Sequence, residues 1–296
     1  MADQVRTLLA VVDEGTLDAA AAALHVTPSA VSQRVKALEQ QTGRVLLIRT
    51  KPVRLTESGE IMVRYARRLA QLERDTMAEL GMGADGEPAR IAIAVNADSL
   101  GTWFLPAIAA VPQVPPVRFE LRRADQDNTA ALLREGLVMA AVTSASEPVA
   151  GCSVRRLGRM RYLPVASPGY LDQWSRLALP ALVSEAPVVV FDRDDDIQDR
   201  FARTITRRGG ASGARHYVPS TDGFRDAVVG GLGWGLVPRS QAEPLIRSGA
   251  LVNIAPGRPV DVSLYWQQWK LDSPALAATA TAVLAGARTA LANRTA

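Results

Sequence analysis

The stretch LDAAAAALHVTPSAVSQRVKALEQQTG, residues 17 to 43, contains two helix-like runs separated by a short break. The Ala-rich run Asp18 to Leu24 favours a short helix, and His25-Val26 supplies the turn. Thr27 followed by Pro28 is a natural N-cap and first helical position. The second helix is expected from Pro28 to about Gln41, and Gly43 ends it. On a helical wheel Val31, Val35 and Leu38 form one apolar stripe, while Ser29, Ser32, Gln33, Lys36 and Gln40 cluster opposite. No acid stands among those five. Short hydroxyls, amides and a cation hydrogen-bond base edges and phosphates, and they let a helix lie close to a duplex. Two helices about a tight turn, the second polar and basic, make a helix-turn-helix over Leu17 to Lys36, with its second helix fitted to the major groove. Thr27, Pro28, Ser29, Ser32, Gln33, Arg34 and Lys36 are its expected contacts with double-stranded DNA.

The next segment, GRVLLIRTKPVRLTESG, reads as an apolar run, a basic turn and a returning strand. Alone it is equally well a plain basic hairpin. Beside a helix-turn-helix it is a wing that offers Arg49, Lys51 and Arg54 to backbone phosphates. From Pro28 to Arg54 there are six basic residues and a single acid, Glu39, the charge footprint of a phosphate-binding surface.

From Thr56, a plausible N-cap with Glu57 and Glu60 in the first turns, one long helix follows. Ile61, Tyr65, Leu69, Leu72, Thr76 and Leu80 recur at steps of four, four, three, four and four residues, close to a heptad seam. A narrow apolar stripe must be buried, and the economical partner is a second copy of the same helix. A homodimer then presents two reading heads to a pseudo-palindromic operator.

The whole chain has 296 residues, of which 48% are hydrophobic and 22% charged, with a formal net charge of +4. It is long enough for more than one domain. It has no apolar run of membrane-spanning length, and MADQVRTLLAVVDEG lacks the basic-then-apolar pattern of a secretory signal, so the cytoplasm is the expected compartment. One cysteine, Cys152, rules out an internal disulfide, and two histidines, His25 and His216, are too few and too far apart for a structural metal site. The same scarcity argues against an enzyme, since no Cys–His or Ser–His pair assembles and His25 lies in the DNA-binding turn. GGLGWGLVP is glycine-rich but leads from helix to strand, the reverse of a dinucleotide loop. No cofactor is expected.

Residues 81–88, GMGADGEP, read as a linker. Beyond it strands and helices alternate: RIAIAV and a helix from Ser99, VRFELR and a helix through NTAALLREG, LVMAAVT, RYLPVAS, VVVFD, RHYVP, GWGLVP, VSLYWQQW, and an Ala-rich helix from Ser273. That pattern predicts α/β layers with largely parallel sheets.

These residues resemble the LysR-type transcriptional regulators. The resemblance rests on AAAAALHVTPSAVSQRVKALEQQTG, then VLLIRT, then RLTESG at the start of the long helix. AVNADSLGTWFLP, VVVFDRDDD, STDGF and LYWQQWKLDSP are similar to the arginine/lysine-responsive ArgP/LysG branch. The resemblance implies an all-α winged helix-turn-helix at residues 1–58, a dimerising linker helix at 59–82 and a two-lobed effector domain, like periplasmic binding proteins, at 88–296. Lobe I takes residues 88–161 and 267–296, and lobe II takes 162–266. It further implies tetramers built as dimers of dimers, contact with RNA polymerase, sensing of L-lysine or L-arginine, and activation of an amino-acid exporter gene. Ala19 to Ala23 depart from the bulkier polar residues that would let the first helix touch phosphates.

A two-lobed α/β domain binds its ligand where strands end. Asn96, Asp98 and Ser99 leave the first strand, Asp125 and Asp127 follow the second, and Thr143 ends the third. Asp192 and Thr221 face them from the other lobe. A helix start at Ser99 would offer backbone N–H groups to an α-carboxylate. Acids at several strand exits in a net-basic chain point to a cationic ligand, with Asp98 facing its ammonium or guanidinium. Asp and Ser at helix starts also serve as plain caps. The competing function is an effector-independent architectural DNA binder or replication-initiation inhibitor, which would share the reading head without needing a cleft.

Overall fold

The computed structural model describes residues 1–79, 89–113, 116–124, 126–206 and 209–291. The N-terminal head packs α1 (Ala2–Glu14), α2 (Leu17–Ala23) and α3 (Pro28–Thr42) around Val5, Leu8, Val11, Ala20, Val31, Val35 and Leu38, all buried. The caps set these helix ends. Thr16 Oγ1 accepts from the Ala19 N–H and Thr27 Oγ1 from the Ala30 N–H, and Gly43 ends α3 at φ 65°. His25 occupies the turn with φ 53°, a left-handed conformation uncommon for a residue with a Cβ. A two-stranded hairpin follows, β1 (Leu47–Ile48) antiparallel to β2 (Arg54–Leu55). Glu39, the lone acid of the basic region, is turned toward it: its carboxylate accepts from the Leu46 and Leu47 N–H groups.

The long helix α4 (Glu57–Glu79) is capped by Thr56, whose hydroxyl accepts from the Gly59 N–H. It is held from two sides. Arg67 pairs with Asp13 at 2.6 Å and Arg6 with Glu73 at 2.9 Å on the head side. On the other side Arg68 donates to the Gly151 carbonyl at 2.8 Å and stacks over the Trp269 ring, and Arg64 reaches the Arg134 carbonyl. Of the seam, Ile61, Tyr65, Leu72 and Thr76 are exposed and Leu69 is half-buried. Leu80 and the 81–88 linker lie outside the described residues.

The C-terminal domain begins with β3 (Ala89–Val95). One continuous helical segment follows it, made of α5 (Ala97–Ser99), a π-helical stretch (Leu100–Phe104) and α6 (Leu105–Ala109). Then come β4 (Val117–Arg123), α7 (Gln126–Arg134) and β5 (Ala140–Thr143). Strand β3 pairs in parallel with both β4 and β5, as the alternation predicted. The chain leaves this lobe along β6 (Cys152–Ala166), 15 residues long. The second lobe is α8 (Pro168–Gln173), α9 (Leu179–Glu185), β7 (Val188–Val190), α10 (Ile197–Ile205), β8 (Arg215–Tyr217), α11 (Thr221–Val229), β9 (Gly235–Pro238), α12 (Arg239–Arg247) and β10 (Val252–Asn253). The chain returns along β11 (Val260–Trp269) and closes with α13 (Pro274–Ala290). Strands β6 and β11 are antiparallel to each other over ten pairs, with a bulge at Leu264/Tyr265. Toward lobe I β11 pairs with β5, and toward lobe II β6 pairs with β9 and β10. These two strands are therefore both spine and hinge. They are the antiparallel component that a reading of largely parallel sheets missed.

Candidate nucleic-acid interface and ligand cleft

On α3 the core stripe and the polar face separate as the wheel predicted. Val31, Val35 and Leu38 are buried, and Ser29, Gln33, Lys36 and Gln40 are exposed. Thr27 and Pro28 are exposed at the helix start, where the Thr27 and Ser29 hydroxyls lie 3.0 Å apart. Ser32 and Arg34 are half-buried at the margins. Arg49, Lys51 and Arg54 are exposed on the hairpin beside the same helix. Among the described residues no carboxylate pairs with Lys36, Arg49, Lys51 or Arg54. Unneutralised cations around a helix face of hydroxyls and amides are what a polyanion with readable edges requires. In α2, Ala20 and Ala21 are buried and Ala22 and Ala23 exposed, so its outer surface carries methyl groups.

Between the lobes lies a cavity of ≈360 Å³. Asn96, Asp98 and Thr143 line it from lobe I, and Asp192 and Thr221 from lobe II, so five of the eight expected residues meet in one cleft. Ser99 is not among its lining residues. The helix starts at Ala97 rather than Ser99, which turns Ser99 into the core, fully buried, with a hydroxyl that has no partner. Asp125 lies outside the described residues, as does the side chain of Asp127 in α7. The cleft also gathers residues that the sequence reading passed over: Tyr162, Asn128, Thr129, Gln198, Asp194, Asp195 and Asp196.

Asp98 joins the lobes. Its Oδ2 accepts from the Tyr162 hydroxyl at 2.6 Å, and its Oδ1 accepts from Thr221 Oγ1 at 3.2 Å. Burial, then the adjacent Asp98 charge, hold the Tyr162 phenol well above its usual range, so it stays protonated and donates. Helix α11 can approach this closely because residue 101 is glycine, where a Cβ would stand 3.2 Å from the Thr221 methyl. A second cross-lobe tie comes from Arg123 at the end of β4, which donates to the Pro219 carbonyl at 2.8 Å with its guanidinium 5.8 Å from the Phe191 ring centre.

The DRDDD loop is folded on its own carboxylates. Asp192 Oδ1 accepts from the Asp194 and Asp195 N–H groups, and Asp195 accepts from the Phe191 and Ile197 N–H groups. Burial pushes the Asp195 carboxyl above the ordinary range against those amide bonds. The cleft is lined by Asp98, Asp192, Asp194, Asp195 and Asp196, and no Lys or Arg is among its described lining residues. This happens in a chain with 34 basic and 30 acidic residues. No group of His, Cys, Asp and Glu suited to a metal ion occurs among the described residues, and none of their helices is long and apolar enough to cross a membrane.

Comparison with known proteins places this architecture. Residues 2–60 match the family described as bacterial regulatory helix-turn-helix protein, lysR family, and residues 84–288 match the LysR substrate binding domain. The chain is 45% identical over 287 residues to the lysine export transcriptional regulatory protein LysG of Corynebacterium efficiens, covering 96% of this chain and 97% of that one. Among solved structures it is similar to ArgP from Mycobacterium tuberculosis, with 44% identity, 98% of each chain covered and a TM-score of 0.90. It is also similar to full-length LysG from Corynebacterium glutamicum with bound effector Arg, with 39% identity, 99% of each chain covered and a TM-score of 0.83. The chain belongs to the LysR family of DNA-binding transcriptional regulators, among the relatives named LysG and ArgP, and is a regulator rather than an enzyme.

Proposed function

We propose that this regulator binds an operator through α3 and the β1–β2 wing while a basic amino acid, L-lysine or L-arginine, in the interlobe cleft sets its activity. The observation that carries the reading is the sign of the cleft's charge: among the described residues its charged lining is carboxylate alone. An α-ammonium and a side-chain cation both find partners there, and the neutral Asn96, Thr143 and Thr221 suit the ligand's α-carboxylate. The relatives' effector and names agree with this ligand class.

Lobe I contributes Asp98 and lobe II contributes Asp192, so a dicationic ligand is held most tightly when the lobes are closed, and its presence shifts the population toward that state. Arg64 and Arg68 hold α4 against lobe I, so lobe movement reaches the reading heads through a stiff helix. The exposed stripe on α4 supports a homodimer as the functional unit, with dimers pairing into tetramers. The altered angle between heads changes DNA bending and the approach of RNA polymerase at the promoter of an amino-acid exporter. An architectural binder indifferent to ligands has no use for an acid-lined cleft.

The test is a thermal-shift screen of the twenty amino acids with the full-length protein, since a ligand that binds only the native form raises its melting temperature. Lysine and arginine are expected to raise it, and glutamate and leucine are not. A screen in which none of the twenty acts, or in which glutamate acts best, overturns the reading.

A further inference from the structure

The basic region from Pro28 to Arg54 carries one acid, and its place is unfavourable on two counts. Glu39 stands in the last turn of α3, which ends at Thr42, where the helix dipole disfavours a carboxylate. It also sits among six basic residues, where by charge alone it opposes a polyanion. Its contacts with the wing offset both penalties. Glu39 is half-buried, and its Oε1 accepts from the Leu46 N–H at 2.8 Å and from the Leu47 N–H at 3.4 Å. Both leucines belong to the buried core of the head, so their amides need an acceptor.

The wing cannot hold its own position. Its strands share two registered pairs, Leu47 with Leu55 and Ile48 with Arg54, and an isolated two-stranded hairpin is marginal in water. Its root is fixed from outside instead. The Thr56 N–H and hydroxyl donate to the Leu46 carbonyl at 3.1 and 3.3 Å, and the Val53 N–H donates to the Gly15 carbonyl at 2.9 Å. Those bonds tie the wing to the start of α4 and to the end of α1. Glu39 ties it to α3, the helix whose outer face carries Gln33 and Lys36.

We infer that Glu39 is a positioning residue for DNA binding: its carboxylate fixes the wing root on α3, so that Arg49, Lys51 and Arg54 reach backbone phosphates while Gln33 and Lys36 meet base edges. It acts through the wing rather than through a contact with DNA. The inference rests on the proposal that the wing binds DNA, and is independent of the ligand in the interlobe cleft.

Two substitutions separate position from charge. Glu39→Asp keeps the charge but is one methylene shorter and falls short of the Leu46 N–H. Glu39→Gln keeps the reach and an accepting oxygen but loses the charge. Each full-length protein is titrated by fluorescence anisotropy, over a range of sodium chloride concentrations, onto a labelled duplex that the parent protein selects from random sequence. Glu39→Asp should bind about tenfold more weakly, with a salt dependence shallower by about one to two units of slope, because wing cations no longer meet phosphates. Glu39→Gln should bind within about threefold of the parent, since a neutral acceptor still holds the root. Lys51→Ala should weaken the parent and flatten its slope by about one unit, and should change Glu39→Asp by less than about half as much. A Glu39→Asp protein that answers salt as its parent does, or a full Lys51→Ala loss in both backgrounds, would overturn the positioning role. A glutamate that only stabilises the head gives that second result with a lowered melting temperature. A Glu39→Gln protein that binds more than about tenfold tighter, with a steeper slope, shows an effect of charge alone and overturns the role whether or not Glu39→Asp folds. Lys51→Ala without effect in the parent overturns the wing contact itself, and the inference with it.

Discussion

Asp98→Asn removes one negative charge from the cleft at little cost in volume, and the structure sets the size of the expected loss. The Asp98 carboxylate accepts from Tyr162 and Thr221 and in the proposed complex also meets a ligand cation. An asparagine keeps one accepting oxygen and no charge, so one of the two hydroxyls loses its acceptor, the other keeps only a neutral one, and the ligand loses an ion pair. A hydrogen bond to a charged group contributes about 1.5–3 kcal/mol, and each 1.4 kcal/mol is about a factor of ten in affinity. Lysine should therefore bind Asp98→Asn about 10- to 150-fold more weakly than the parent, as measured by isothermal titration calorimetry at neutral pH. Glutamate binding should remain undetectable or improve. The variant's melting temperature without ligand checks that the loss is in binding, since the side chain is half-buried rather than in the core. A lysine dissociation constant within about twofold of the parent's, which is under half a kcal/mol, would refute the assignment of Asp98 to the ligand's cation.

Gln33→Ala and Lys36→Ala should each weaken operator binding while leaving lysine binding unchanged, and the lysine variant should flatten the salt dependence by about one unit of slope, measured by fluorescence anisotropy. Tyr65→Glu or Leu72→Glu, at positions exposed in one protomer, should leave the fold intact and shift the mass seen by light scattering to that of a monomer. The Asp195 carboxyl is raised above its usual range by burial, and a bound cation favours its ionised form. Lysine binding should therefore release protons and weaken as pH falls through that raised value, a trend read by calorimetry in buffers of different ionisation enthalpy. Gly59→Ala should lower stability by about 2 kcal/mol or more, because its Cβ would overlap the Leu46 carbonyl oxygen. Thermal unfolding of the head measures that loss.

The head was legible because its signals are local. Thr27, Pro28 and Gly43 mark the ends of α3 by backbone chemistry, and the expected end differs from the observed one by a single residue. The parallel strands β3, β4 and β5 stand out in RIAIAV, VRFELR and LVMAAVT as apolar or alternating runs. Strand β6 was seen only in its last six residues, within RYLPVAS. Its first part, CSVRRLGRM, reads as polar because of its arginines; Arg159, like Arg161, lies on the face where Asp261 supplies a partner from about 100 residues away. The two residues of β10, a strand-favouring Val252 beside a strand-disfavouring Asn253, are too short a run to read as a strand and are one only through pairing with β6. In the cleft, strand exits named Asn96, Asp98, Thr143, Asp192 and Thr221 correctly as neighbours. Ser99 failed on helix phase, since two residues of error at a helix start move a side chain from cleft to core. Tyr162 sits in mid-strand, and only the fold brings its hydroxyl to Asp98. Within DRDDD the loop's self-capping buries Asp195, and nothing in a run of acids predicts which one that is.

Arginine and citrulline have nearly the same shape and differ in the charge at the end of the side chain, so calorimetry of the full-length protein with both isolates the central claim. A cleft built to recognise a cationic amino acid should bind citrulline at least about tenfold more weakly than arginine, the loss expected for one charged hydrogen-bonded pair. Equal affinity for the two, or tighter binding of citrulline, would contradict the account.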